Sequence, residues 1–189
     1  MKDYREIIDS VGEGSHLAEG IDFIRGGSKN SGRGIFVGDH CYIHSGSRFI
    51  LGNLDEHPHA NMVIGNFVQI NWGCYISGEG GLVIGDRVLI GPNVCILSAG
   101  HGYIDKTKLI QEQGLTYARI VIEDDVWIGG GSVVLQGTKL GKGCVIGGGS
   151  TIVNDVPPYA VVAGNPAKII KWRKDKNNWW SRLLRPFRL

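Results

Sequence analysis

Residues 126–153 read VWIGGGSVVLQGTKLGKGCVIGGGSTIV, and their pattern returns every six positions. Ile128, Val134, Leu140, Ile146 and Ile152 mark the period, often with glycine next, and four places on stand Ser132, Thr138, Cys144, Ser150 and Val156. The same frame runs upstream through Ile64, Ile70 and Ile76, then Ile84, Ile90 and Ile96, and resumes at Ile122. A period of six fits neither an amphipathic helix nor a long alternating strand; short strands with a turn after each fit it. Side chains alternate along a strand, so Val126 and Ile128 share one face and are predicted to look inward, while Trp127 between them looks outward. Glycine after the aliphatic suits a corner, where a Cβ would clash or φ is positive.

Three such segments close one triangular coil. Stacked coils about 4.8 Å apart pair every ladder N–H and C=O with a neighbour while the aliphatics form one internal column. An earlier partial coil at Val37, Ile43 and Phe49 brings the count to roughly five in an all-β chain. Cys41, Cys74 and Cys144 occupy the small-residue position and read as buried spacers.

Composition agrees with this reading. The chain has 189 residues, enough for one domain, and 30 glycines, roughly double the ~7% of average usage. A formal charge of +2 gives no field to gather nucleic acid. Charge is nevertheless uneven, with eight Lys or Arg and only Asp175 in residues 168–189. Four cysteines without a CxxC pair point to a reduced, cytoplasmic chain, and no secretory or membrane-spanning segment is expected. The layout is an N-terminal segment 1–34, a repeat domain 35–157 with a loop at 98–121, and a closing turn with basic tail at 158–189.

Departures from a regular frame are where function is expected. Phe49 and Ile64 are 15 apart, Ile76 and Ile84 are 8 apart, and Ile96 and Ile122 are 26 apart. The first gap carries His57, Pro58 and His59, read as a solvated turn that could line an acceptor cleft. The longest gap opens with His101 between Gly100 and Gly102, and loops of more than ~12–15 residues in compact domains are usually functional or disordered. An imidazole titrating near ~6.5 can act as a base at neutral pH. No nucleophilic Ser or Cys beside a base is evident, which favours direct transfer over a covalent intermediate.

The repeat resembles the hexapeptide-repeat acyltransferases over about residues 35–173. His101 at the root of the loop, Asn71 in INWGCYI and Trp127 in VWIGGG are similar to the maltose and galactoside O-acetyltransferase branch. The resemblance implies a left-handed parallel β-helix, and an acetyl-CoA-dependent O-acetyltransferase acting on a sugar or cell-surface polysaccharide precursor. It implies His101 as general base and Asn71 as acceptor contact. Coenzyme contacts would come from Trp127, Gly130, Gly148, Gly149, Lys168 and Lys171, and a homotrimer would place the sites between subunits. Val153 and Asn154 depart from the family's Thr-Lys, and residues 1–34 match the branch's helical N-terminal segment poorly. The alternatives are an amino-sugar N-acetyltransferase, a γ-type zinc carbonic anhydrase, whose histidine triad is not in place, and a non-catalytic scaffold. No metal is expected. The aromatic and basic residues 172–189 read as a short C-terminal helix or a peripheral membrane contact.

Overall fold

The computed structural model describes residues 7–27 and 32–174. Short parallel strands stack into three faces of a prism, one strand per face in each turn of the chain. Face one runs from Ser10–Val11 through Ile35–Val37, Met62–Ile64, Leu82–Ile84 and Ile120–Ile122 to Lys139–Leu140. Face two runs from His16–Leu17 through Tyr42–Ile43, Gln69–Ile70, Leu89–Ile90, Trp127–Ile128 and Val145–Ile146 to Ala160–Gly164. Face three runs from Asp22–Gly26 through Arg48–Asn53, Tyr75–Ser77, Cys95–Leu97 and Val133–Leu135 to Thr151–Ile152.

Among the described residues six complete coils result, where the hexad frame predicts roughly five. The additional coil lies in residues 10–26, within the N-terminal segment 1–34. Its hexad, Val11, Leu17 and Phe23, is present but weak, because a terminal coil is covered on one side only. Arg25 pairs with Asp9, whose Oδ2 also accepts the Ile35 N–H at 2.9 Å and ties this coil to the next. At the other end Val156 bridges Leu140 to begin a seventh turn. Ala167–Trp172 then returns antiparallel to Ala160–Gly164, so the first part of the basic tail is strand. The helix expected farther on lies outside the described residues.

The inward rows are as the frame predicts. On face two Leu17, Ile43, Ile70, Ile90, Ile128, Ile146 and Val162 stand in register, and all but the half-buried Leu17 are buried. Full burial of one such side chain contributes roughly 1.5–3 kcal/mol, so the column dominates stability. Gly129 follows Ile128 because the coils approach closely: a Cβ there would sit 2.5 Å from the Gly148 nitrogen.

Cys41, Cys74 and Cys144 are buried, and burial pushes all three thiols up, Cys144 to about 12. Cys95 points outward on face three and is half-buried. At about pH 8 a thiol reagent is expected to label Cys95 in the folded protein and the other three only after denaturation. Early labelling of Cys74 or Cys144 would contradict the packing.

The edge between faces one and two is built by a ladder the hexad frame does not reveal. Glu13, Asp39 and Asn66 donate backbone N–H to Asp39 Oδ1, Asn66 Oδ1 and Asp86 Oδ1, each at 2.8 Å, and Asp86 N–H reaches Asp124 Oδ1 at 3.1 Å. The residues that follow these Asx positions, His40, Phe67, Arg87 and Asp125, take left-handed backbone with φ of 53–58°. Their side chains stack: His40 lies 5.1 Å from Phe67, and the Arg87 guanidinium lies 5.2 Å from the same ring.

Candidate functional site

Every excursion from the coil leaves by the edge between face three and face one. Residues 54–61, 78–81 and 98–119 each follow a face-three strand and precede a face-one strand, as do Gly27 and residues 32–34 among the described residues, so successive turns bring them to one edge. Regular coil supplies the rigid frame; the insertions supply the side chains that vary.

The longest insertion carries a two-stranded ribbon, in which Ala99–His101 pairs antiparallel with Leu115–Tyr117. Ala99 opposes Tyr117, Gly100 opposes Thr116 and His101 opposes Leu115. Opposed residues share a side and alternate ones change it, so His101 and Tyr117 stand on one side of the ribbon and Thr116 on the other. There Gln136 Nε2 donates to Thr116 Oγ1 at 2.9 Å and holds the ribbon to the coil, while Gln136 Oε1 is buried without a partner. His101 is exposed.

Beyond it the loop is internally tied. Asp105 N–H donates to Gln113 Oε1 at 3.0 Å, and Gln113 Nε2 donates to the Asp105 carbonyl at 3.0 Å. Thr107 donates its hydroxyl and N–H to Asp105 Oδ1, which holds that carboxyl below its ordinary range. Tyr103, Ile104, Leu109 and Ile110 are left exposed at the tip, Ile104 by 84%.

Below the ribbon lies a pocket of 410 Å³ lined by Arg33, His59, Asn61, Gly80, Tyr117 and Arg119, among others. Arg33 donates to the carbonyls of His57 at 2.5 Å and Leu54 at 2.7 Å, and Asn61 Oδ1 accepts the Gly34 N–H at 3.0 Å. The His57 ring packs 4.9 Å from Tyr117, so this histidine props the wall. Burial pushes the Tyr117 hydroxyl up, with Glu79 and Glu56 adding to the shift. The sequence reading touched the pocket only through His59. Arg33, Asn61, Tyr117 and Arg119 escaped it, although a signal existed: Phe49, Ile76 and Ile96 are each the third hexad of a coil, so their insertions had to share an edge.

Asn71 stands elsewhere, on the edge between faces two and three, where its Nδ2 donates to the Ile90 carbonyl at 2.9 Å. Gly130, Gly148 and Gly149 occupy the same edge one and two coils on from Leu89–Ile90. Gly149 has φ 69°, which calls for glycine, and a Cβ on Gly148 would lie 3.2 Å from the Gly130 carbonyl. Within one chain the fold therefore does not bring His101 and Asn71 together.

Trp127 is 53% exposed on face two, between Leu89 and Val145 in the outward row. It lines an 870 Å³ groove with Trp172, Lys171, Lys174, Arg87 and Arg173, and the returning strand forms the far wall. Arg173 is partly committed, pairing with Asp125 at 2.9 Å and donating to the Gly143 carbonyl at 2.8 Å. Lys171 thus lines the same groove as Trp127. Lys168 is exposed on the same strand, opposite Ala163, and does not line the groove. Among the described residues no three His, Cys, Asp or Glu converge as a metal site would need.

A six-residue period wound as a three-faced parallel coil is the pattern of the hexapeptide-repeat proteins. The family described as bacterial transferase hexapeptide (six repeats) matches residues 119–154, and the chain belongs to this hexapeptide-repeat transferase family. The galactoside O-acetyltransferase of Escherichia coli (strain K12) is 32% identical over 142 residues, 75% of this chain and 65% of that protein. The galactoside O-acetyltransferase of Lactococcus lactis subsp. lactis (strain IL1403) is 29% identical over 134 residues, 70% of this chain and 60% of that protein. Among solved structures, a hexapeptide-repeat acetyltransferase of Vibrio cholerae O1 biovar eltor, complexed with acetyl-CoA, is similar with a TM-score of 0.61. Its identity is 29%, covering 90% of this chain and 74% of that one. The coil shares the left-handed β-helix of such structures. The chain spans 53–65% of the length of the first curated relatives it matches.

Proposed function

We propose that this chain transfers an acetyl group from acetyl-CoA to a carbohydrate hydroxyl. The observation that carries the reading is the exposed His101 on a ribbon whose same side walls the edge pocket. His101 takes the proton of the acceptor hydroxyl as its oxygen attacks the thioester carbonyl. The C–S bond then breaks, and the coenzyme thiolate leaves with that proton. A sugar hydroxyl is too weak an acid to ionise unaided near neutral pH, so the base is needed.

The groove on face two suits the coenzyme. Trp127 and Trp172 offer apolar surface for the pantetheine arm or the adenine, and Lys171, Lys174 and Arg87 offer charge for its phosphates. The names of the galactoside O-acetyltransferases and the acetyl-CoA held by the Vibrio protein support the same chemistry.

Assembly as a trimer supplies what one chain lacks. His101 and Asn71 lie on different edges, so an acceptor touching both needs a neighbouring copy, and the apolar loop tip is a surface for that copy to cover. The decisive experiment measures free thiol released from acetyl-CoA with neutral sugars, amino sugars, sugar phosphates and polysaccharides as acceptors. Release that depends on a hydroxyl acceptor is the expected result. Release with amino sugars alone would turn the reading to N-acetylation, and no release with any acceptor would overturn it.

A further inference from the structure

We infer that Gln136 is a positioning residue for His101: its amide braces the back of the ribbon and so sets where the imidazole stands on the front. The inference rests on the proposed role of His101 as base.

The brace begins at the root of the loop. Leu97 and Leu135 are in register, so Gln136 stands one coil on from Ser98, the residue at which the chain leaves the coil. Ser98 is fully buried; its hydroxyl donates to the Ser77 carbonyl at 2.9 Å and accepts the Gly80 N–H at 3.0 Å. The returning Ala118 donates its N–H to the Ser98 carbonyl at 3.1 Å and accepts the Gly137 N–H at 3.3 Å. Both ends of the insertion are thus tied to the frame. A ribbon held only at its ends can still tilt about them.

Gln136 removes that freedom. Its Nε2 donates to Thr116 Oγ1 at 2.9 Å, on the side of the ribbon away from His101. Gly100 opposes Thr116 and precedes His101, and a Cβ there would meet Gln136 Nε2 at 3.2 Å. Gly102, which follows His101, is bare for a similar reason, since its Cβ would lie 2.7 Å from the Gln113 carbonyl oxygen. Both glycines beside the histidine therefore make room for groups packed behind it. On the front, the His57 ring lies 4.9 Å from that of Tyr117, so the ribbon is held from its two sides.

Stability alone does not account for this amide. Gln136 Oε1 is buried without a partner, and exchanging the two amide atoms would leave a donor unpaired instead. An unpaired buried polar atom is unfavourable, and an apolar side chain of the same length would remove it. Such a side chain could not hold Thr116. An unsatisfied group kept beside a reacting one points to function, and a base displaced by about 1 Å loses on the order of 100-fold in rate.

Two substitutions delete the hydrogen bond from either end. Gln136→Met keeps the length of the side chain, and Thr116→Val changes an exposed residue of the ribbon. Amide hydrogen exchange of the full chain should quicken in residues 99–117 by about fivefold in each variant, with the coil unchanged. Acetyl transfer is measured with the hydroxyl acceptor that releases most thiol among the sugars and polysaccharides named above. Each kcat should fall at least about tenfold with the KM for acetyl-CoA unchanged, and the double variant should fall no further. In a His101→Ala background Gln136→Met should cost nothing more, because a residue acting through the base then has nothing to act on. A merely structural contact would cost the same in both backgrounds. Unchanged exchange, an unchanged kcat beside an inactive His101→Ala, or a further loss in the His101→Ala background would each overturn the inference and leave the base in place. Wild-type rates in His101→Ala would instead defeat the base, and the positioning role with it.

Discussion

Replacing His101 by alanine is expected to lower acetyl transfer by about 100- to 10,000-fold, the range by which a positioned general base accelerates a reaction. The ribbon does not depend on this side chain. Its pairing is backbone to backbone, and its anchor is the Gln136–Thr116 hydrogen bond, so the fold and the melting temperature should hold. The loss should fall on kcat, with the KM for acetyl-CoA little changed, because the groove lined by Trp127 lies on another face. Wild-type rates in the variant would remove His101 from the mechanism. A stricter form mixes chains. If one subunit lends His101 and its neighbour Asn71, unfolding and co-refolding His101→Ala with Asn71→Ala in equal amounts should rebuild about a quarter of the sites. Recovery of activity from two inactive parents would demonstrate the shared site, and none would place the whole of it in one chain.

Ile128→Ala is expected to cost about 2–5 kcal/mol, read as a lowered denaturant midpoint. Ile128 is fully buried in the face-two column, with Ile90 on one side and Ile146 on the other. Coils above and below are hydrogen-bonded in register, so the column cannot collapse into the space that three lost carbons leave. The outward neighbour provides the control. Leu89→Ala removes a side chain that is 44% exposed and should cost no more than about 0.5 kcal/mol in the monomeric chain. Equal losses for the two would mean that the inward and outward rows have been misassigned.

The inner wall of the protein was legible because one physical rule governs it. Alternation along a strand put Val126 and Ile128 inside and Trp127 outside, and burial follows that rule in each coil where the hexad is strong. The rule faded at the terminal coil, where Val11 is 40% exposed and the signature is correspondingly loose. It was silent on the edge between faces one and two. There the Asx ladder and the left-handed residues Phe67 and Arg87 satisfy backbone N–H groups by side chains, a device with no fixed hydrophobic signature. Trp127 and Lys171 came together because the chain reverses after Gly164, which periodicity does not forecast.

Residue periodicity alone therefore determined the coil, its buried rows, and the places where the chain departs from them, since each depends on neighbours a few positions away. Which departures meet was decided only by the tertiary structure. Arg33 and Arg119 are 86 positions apart in the sequence yet line one pocket, because stacking returns the chain to the same edge once per coil. His101 and Asn71 belong to successive coils but stand at different edges, because a third of a turn separates the corners they occupy.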